Sequence, residues 1–230
     1  MLMLSIGLTG LFTQSAMAVE LNFNINAPTS GFVSYDGTGG GLIGANIEVD
    51  HVVGLSTPVN ANVTSLCVSC VLNFNSGSLI GAGGPPPSGS NNGWWRFGPG
   101  GSITITGGVQ LQGSTDIPTG IMLLSGTFDN AFVQDVGSSF KVTFGSFTDT
   151  KHHDLLAYYG LAPSPSPFEG ALTLLFGSVN TGVGDSFASS SVFSGSIANT
   201  PVPVPAAAWL FGSGAVALAG LARRKGLFHT

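Results

Sequence analysis

The last stretch of the chain constrains it most. From Pro205 to Ala222 runs PAAAWLFGSGAVALAGLA, 18 residues without a charge, and Arg223-Arg224-Lys225 follows at once. A helix rises about 1.5 Å per residue, so this run covers roughly 27 Å, close to the ~30 Å hydrocarbon core of a bilayer. The sequence therefore predicts a transmembrane helix over 206–222 and a basic cytoplasmic tail over 223–230. Trp209 falls near the outer boundary, where aromatic rings prefer the headgroups, and the cations mark the cytoplasmic side. The body of the protein then faces outward. Small residues at Gly212, Ser213, Gly214 and Ala215 make a slim helix that another helix can approach closely.

The other end is also apolar. Met1 to Ala18 reads MLMLSIGLTGLFTQSAMA and closes on Ala16-Met17-Ala18, the small-x-small pattern that signal peptidases accept. We expect a signal peptide over 1–18, cleaved after Ala18. No Lys or Arg precedes Arg96, so the positive region that normally starts such a segment is missing. A start codon upstream of Met1 would account for it.

Val202-Pro203-Val204-Pro205, followed by Ala206-Ala207-Ala208-Trp209-Leu210-Phe211-Gly212-Ser213-Gly214, an apolar helix and Arg223-Arg224-Lys225, resembles the PEP-CTERM sorting signal. In that family a Pro-x-Pro motif, a hydrophobic helix and a basic tail direct exported proteins of Gram-negative, biofilm-forming bacteria to an exosortase-type membrane protease. The likeness covers about 25 residues, and Val204 stands where the family usually has Glu. It implies processing at or beside Pro203 to Pro205. Prolines hold such a segment extended and outside the helix, where a protease can reach it.

Between the ends, short β-favouring runs recur between turn signals. Ser102-Ile103-Thr104-Ile105-Thr106 and Phe140-Lys141-Val142-Thr143-Phe144 alternate polar with apolar, as half-buried strands do. Further strands are expected at Phe32–Tyr35, Ala45–Val53, Val63–Phe74, Gly108–Gln112, Ile121–Phe132, Ala171–Gly177 and Ser191–Ile197. The fold class expected for 19–198 is mainly β, an antiparallel sandwich of jelly-roll or immunoglobulin-like kind. Gly- and Pro-rich loops separate the pieces at 37–41, 81–93 and 163–167, and 199–205 forms the linker carrying the Pro-x-Pro motif. One short helix is expected within Asp149–Leu161, capped by Asp149 or Thr150 and ended at Gly160.

Charge excludes one class of partner. Only 7% of residues are charged, and the region from Glu20 to Asp185 holds all eleven acids against three bases, Arg96, Lys141 and Lys151. Such a surface repels phosphate backbones, so no nucleic acid is expected.

Candidate sites are few. Cys67-Val68-Ser69-Cys70 is the only cysteine pair, and in an oxidising exterior a structural disulfide between Cys67 and Cys70 fits best. Strand-like flanks argue against a redox motif, which wants a helix start, and no His follows Cys70 for haem attachment. His152-His153-Asp154 offers metal-ligating groups, but neighbours on a helix point about 100° apart, so a solvated helix start is expected and no metal. Trp94-Trp95-Arg96-Phe97 is the most suggestive internal cluster. Exposed aromatic faces stack on sugar rings, so Trp94 and Trp95 are possible carbohydrate contacts, against the reading that they fill the core. Asp50-His51 has no serine in a recognisable elbow, no G-x-S-x-G or H-E-x-x-H occurs, and no catalytic residue is assigned.

These readings converge on a non-enzymatic, exported cell-surface or matrix protein without cofactor, anchored through its C-terminal helix until processed. Its expected partners are the membrane, the exosortase-type protease and extracellular polysaccharide of the biofilm. The alternatives are a carbohydrate- or surface-binding module and a secreted hydrolase with paired carboxylates.

Overall fold

The structure is a computed structural model that describes residues 18–84, 93–137, 139–162, 167–178 and 182–202. The expected signal peptide up to Met17, the tail from Pro203 onward and the loop centres at 85–92 and 163–166 lie outside the described residues. Among the described residues no helix is long and apolar enough to cross a membrane.

Among the described residues ten strands follow one another: β1 (Glu20–Ile25), β2 (Phe32–Tyr35), β3 (Gly41–Leu55), β4 (Thr64–Gly83), β5 (Trp94–Phe97), β6 (Gly101–Gln110), β7 (Ile117–Asp135), β8 (Ser139–Lys151), β9 (Phe168–Ser178) and β10 (Phe187–Pro201). Among the described residues one helix, α1 (His153–Tyr158), sits between β8 and β9. All paired strands are antiparallel, so the mainly β, antiparallel class expected from the sequence is present.

The order of strands differs from the Greek-key pattern of jelly-roll or immunoglobulin-like sandwiches. Two positions in the sheet are each shared by two short strands. β1 and β2 both lie between β3 and β10, β1 against their last residues and β2 against their first. β5 and β6 likewise both lie between β4 and β7. Counting each such pair as one stave, every stave neighbours the next in sequence, and β10 returns to β1. The result is a meander of eight staves closed on itself, which leaves no free sheet edge.

The breaks within the shared staves have local causes. Between β1 and β2 the chain turns out at Asn26–Gly31 and touches β10 through a bridge from Thr29 to Val192. Gly31 has φ +95°, and a Cβ there would fall 2.5 Å from the carbonyl oxygen of Asn46, so only glycine fits. Glycine also serves inside strands as a seat for rings. A Cβ on Gly44 would lie 2.1 Å from the Phe74 ring, and one on Gly170 would lie 2.1 Å from the Phe147 ring. Part of the high glycine content is thus a packing device that lets large rings lie flat against the next strand.

The interior is filled. Tyr35, Trp95, Phe97, Phe140, Phe176 and Phe187 form one buried cluster, with ring centroids 5.4 Å apart for Trp95–Phe140, 5.3 Å for Trp95–Phe187 and 5.1 Å for Phe140–Phe187. Phe74, Phe128 and Phe147 continue the packing, each neighbouring pair at 5.7 Å. These offset and edge contacts are the favoured aromatic geometries. The outer face is sparsely charged; exposed apolar side chains such as Phe32, Ile43, Leu66 and Ile80 alternate there with hydroxyls and amides that bond across strands. The Asn75 side-chain oxygen accepts from the Ser102 amide at 2.6 Å, and the Thr173 and Ser196 hydroxyls lie 2.9 Å apart.

One end of the barrel carries Glu20 and Pro201, so both ends of the folded body lie there together. The same end is closed by α1 and the loops 56–63 and 111–116. The Tyr159 hydroxyl lies 3.2 Å from the Val52 carbonyl and 3.1 Å from that of Val63, while Asn60 donates to the Tyr158 carbonyl at 2.8 Å. The helix is shorter than expected. Asp149 does not cap it, because β8 continues to Lys151 and turns Asp149 inward. His152 occupies the N-cap position and makes no side-chain cap bond. The end does follow expectation: Gly160 has φ +69°, and Leu161 and Gly160 donate to the carbonyls of Leu156 and Ala157, which together satisfy the last turn.

Candidate functional sites

Strand alternation separates the two tryptophans. On β5, Trp95 and Phe97 point inward and Trp94 and Arg96 outward, as successive strand residues must. Trp95 is fully buried and packs on Phe140 and Phe187, so it cannot meet a sugar. This corrects the pairing of Trp94 with Trp95 as carbohydrate contacts. Trp94 lies on the outer surface, half-buried, its indole flat over Gly83, where a Cβ would fall 2.6 Å from the ring. It stacks beside Phe132 on β7, centroids 5.9 Å apart and planes at 21°. The two rings form a small aromatic shelf on the barrel wall.

Cys67 and Cys70 stand three apart on β4, a spacing that puts side chains on opposite faces of a regular strand. A bulge removes the conflict. Ser69 has φ +52°, and the pairing with β6 slips between Val68 and Val71. Both cysteines consequently face the interior, where they are present as thiols. The Cys67 thiol hydrogen-bonds to Cys70, which raises the pKa of Cys67 and lowers that of Cys70. Cys70 Sγ also lies 3.2 Å from the Gly108 carbonyl.

Asp149 and Lys151 are a pair that composition conceals. Both project inward at the end of β8 with side chains fully buried, and the Lys151 ammonium bonds to Asp149 Oδ1. Lys151 Nζ stands 4.1 Å above the Phe168 ring, a cation–π contact in a desolvated setting. The second carboxylate oxygen, Oδ2, has no hydrogen-bond partner. Burial pushes the Asp149 carboxyl up from its ordinary value and the Lys151 ammonium down to about 8; each shift is only partly offset by the other group's charge.

His152, His153 and Asp154 come together. His152 precedes the helix and is extended (φ −59°, ψ 136°), so the 100° step between helical neighbours does not apply to it. The imidazole rings lie 4.4 Å apart. Asp154 Oδ1 is 3.0 Å from His153 Nε2, and Oδ2 is 3.8 Å from His152 Nδ1. One donor atom from each of the three residues falls within 4.8 Å of the others. The three residues do stand at a largely solvated helix start, as expected, but their side chains converge where divergence was expected.

The remaining candidates are dispersed. The Asp50 carboxylate accepts from the Asn26 amide at 2.7 Å, and Asn26 Nδ2 meets His51 Nδ1 at 3.4 Å, so the His51 ring faces an amide rather than a serine. Asp129 and Glu169 line one shallow groove on the outer wall, with Ser146, Thr148 and Thr200 along it. Both carboxylates are exposed. Of the sorting segment, Val202 is described and its amide donates to the Pro167 carbonyl at 3.1 Å; Pro203, Val204, Pro205, Trp209, Arg223, Arg224 and Lys225 lie outside the described residues, as does Ala16. Ala18 is exposed.

The fold and its surface thus define a closed antiparallel meander barrel with a side-chain-filled interior. No family model, curated protein or solved structure matches the chain.

Proposed function

We propose that the protein is an exported, non-catalytic component of the cell surface or extracellular matrix, delivered by its PEP-CTERM-like tail. The observation that carries this reading is the filled interior. Ligand-binding barrels of eight strands keep a cavity along the axis, whereas here Tyr35, Trp95, Phe97, Phe140, Phe176 and Phe187 occupy it. A body whose described interior is packed with side chains and whose wall is poor in charge suits a structural role. The placement of Glu20 and Pro201 at one end also agrees with it. A chain exported from its N-terminus and tethered through its C-terminus would then present the opposite end and the walls outward.

The test is expression of the full chain in a host that has an exosortase-type protease and in the same host lacking it. Mass spectrometry should find a product ending near Pro203–Pro205 in the first and a longer, membrane-retained product in the second. Replacing Arg223, Arg224 and Lys225 by Ala should disturb processing. Recovery from the cytosol with both ends intact in both hosts would overturn the reading.

The shelf of Trp94 and Phe132 favours a second reading, a module that rests on extracellular polysaccharide. Trp94 alone, not Trp95, would then make the contact.

A further inference from the structure

We propose that His152, His153 and Asp154 form a binding site for one divalent transition-metal ion of the zinc class. A tetrahedral ion with ligands at about 2.0–2.2 Å holds their donor atoms roughly 3.3–3.5 Å apart. The two imidazole-to-carboxylate distances, 3.0 and 3.8 Å, bracket that spacing, and all three donors fit within 4.8 Å. Closing on an ion needs only small rotations of side chains.

A second observation points into the same place. Nδ1 of His152 points inward from a ring that is 20% exposed, and among the described residues it has no hydrogen-bond partner, an arrangement that costs free energy unless something meets it. A metal ion between His152 and Asp154 would satisfy that lone pair. The backbone is held ready: the His152 amide donates to the Leu123 carbonyl at 3.0 Å, and its own carbonyl accepts from the Leu156 amide at 3.1 Å. The nearest cation does not oppose binding, because the Lys151 ammonium is turned into the barrel and bonded to Asp149.

The donor set selects the ion. Two imidazoles and one carboxylate suit zinc, cobalt, nickel or copper, whereas calcium and magnesium prefer oxygen ligands throughout. Three protein ligands leave at least one position open. The hydroxyl-bearing residues Ser125 and Thr150 and the side chain of Met122 line the hollow that the two His rings border, so a water or a small exogenous donor completes the shell there. The ion would also staple the start of α1, the element that closes this end of the barrel.

The experiment titrates Zn²⁺ and Co²⁺ into the purified full chain in detergent, with isothermal calorimetry for the first and visible absorption for the second. One equivalent should bind. His152→Ala, His153→Ala and Asp154→Asn should each weaken binding roughly tenfold or more. His51→Gln and His229→Gln should leave it unchanged, which excludes the remaining histidines. Excess Ca²⁺ and Mg²⁺ should not displace the ion. Absence of saturable binding, equal binding by the triple variant, or full competition by Ca²⁺ would overturn the assignment. Should any variant fail to fold, the wild type decides alone. Zn²⁺ should shield His152 and His153 from diethylpyrocarbonate, and unchanged labelling of both would refute the site.

Discussion

Asn199 on the last strand donates its side-chain amide to the carbonyl of Leu21 on the first, at 3.1 Å, and to that of Ile197 at 3.0 Å. The residue is fully buried and directly opposite Leu21 in the ladder, so it ties the seam where the barrel closes. Its bonds join residues at the two extremes of the body. Asn199→Ala should lower unfolding stability by about 1–3 kcal/mol, the usual cost of stranding buried polar groups. Amide hydrogens of β1 should exchange faster than those of β6, which lies outside the seam. Equal acceleration in both strands would show that the seam is not a local clasp.

The buried Asp149–Lys151 pair predicts an unusual dependence on pH. Lys151 titrates near 8 in the folded state against 10.5 when free, so the native form binds fewer protons between these values. Stability therefore rises with pH across that window, and the contribution is lost as pH falls through about 8. From one-unit steps of ~1.4 kcal/mol the span is roughly 3 kcal/mol. Asp149, shifted upward by burial, acts in the opposite sense: the folded state holds its proton more tightly, and stability falls as pH rises through the ordinary carboxyl range. In chemical denaturation the wild type should therefore gain stability relative to the Asp149→Leu, Lys151→Met double variant as pH rises from 8 to 10.5. At pH 7 the double variant should match or exceed the wild type. Lys151→Met alone should lose about 3–5 kcal/mol, because the carboxylate is left without its partner.

The same residues show where sequence reading reaches its limit. Strands whose sequence alternates cleanly, such as Ser102–Thr106 and the start of Phe140–Phe144, are legible from the period of two, although the β8 ladder slips after Val142. Glu20–Ile25 carries an equally clean alternation, ELNFNI, yet stands beside the expected signal peptide and merges with its apolar run. Trp94–Phe97 is absent from the expected strands because four residues between Gly/Pro-rich stretches give no period. The closed order depends on pairings between residues far apart in the chain, and the shared staves of β1 with β2 and β5 with β6 leave no local trace. The metal-ligating cluster turns on the backbone angles of one residue, His152, which composition does not encode.

At Cys67 and Cys70 the bulge decides the chemistry. Both sulfurs face inward from one strand across the Ser69 bulge, and we predict that they pair as a disulfide. Protein recovered from an oxidising exterior should be two hydrogens lighter than the reduced chain, and its cysteines should accept iodoacetamide only after reduction. Closing so short a loop stabilises by about 2 kcal/mol in the chain-entropy account. The Cys67→Ser, Cys70→Ser variant should unfold at correspondingly lower denaturant. If thiols remain titratable in protein taken from the cell surface, the bridge does not form.

Trp94 and Trp95 are neighbours in sequence with opposite fates, and that contrast separates core from contact surface. Trp95 is fully enclosed by Phe140 and Phe187, so Trp95→Ala should cost about 3–5 kcal/mol and lower the thermal midpoint without any ligand present. Trp94 rests on Gly83 and beside Phe132 with one face open, and Trp94→Ala should change stability by less than about 1 kcal/mol. If the shelf holds polysaccharide, titration with the producing organism's own polymer should quench the fluorescence of the Trp95→Phe variant, which keeps Trp94, and leave that of Trp94→Ala unmoved. Quenching that persists in Trp94→Ala would place the contact elsewhere, and no quenching in either would leave the barrel wall a structural surface alone.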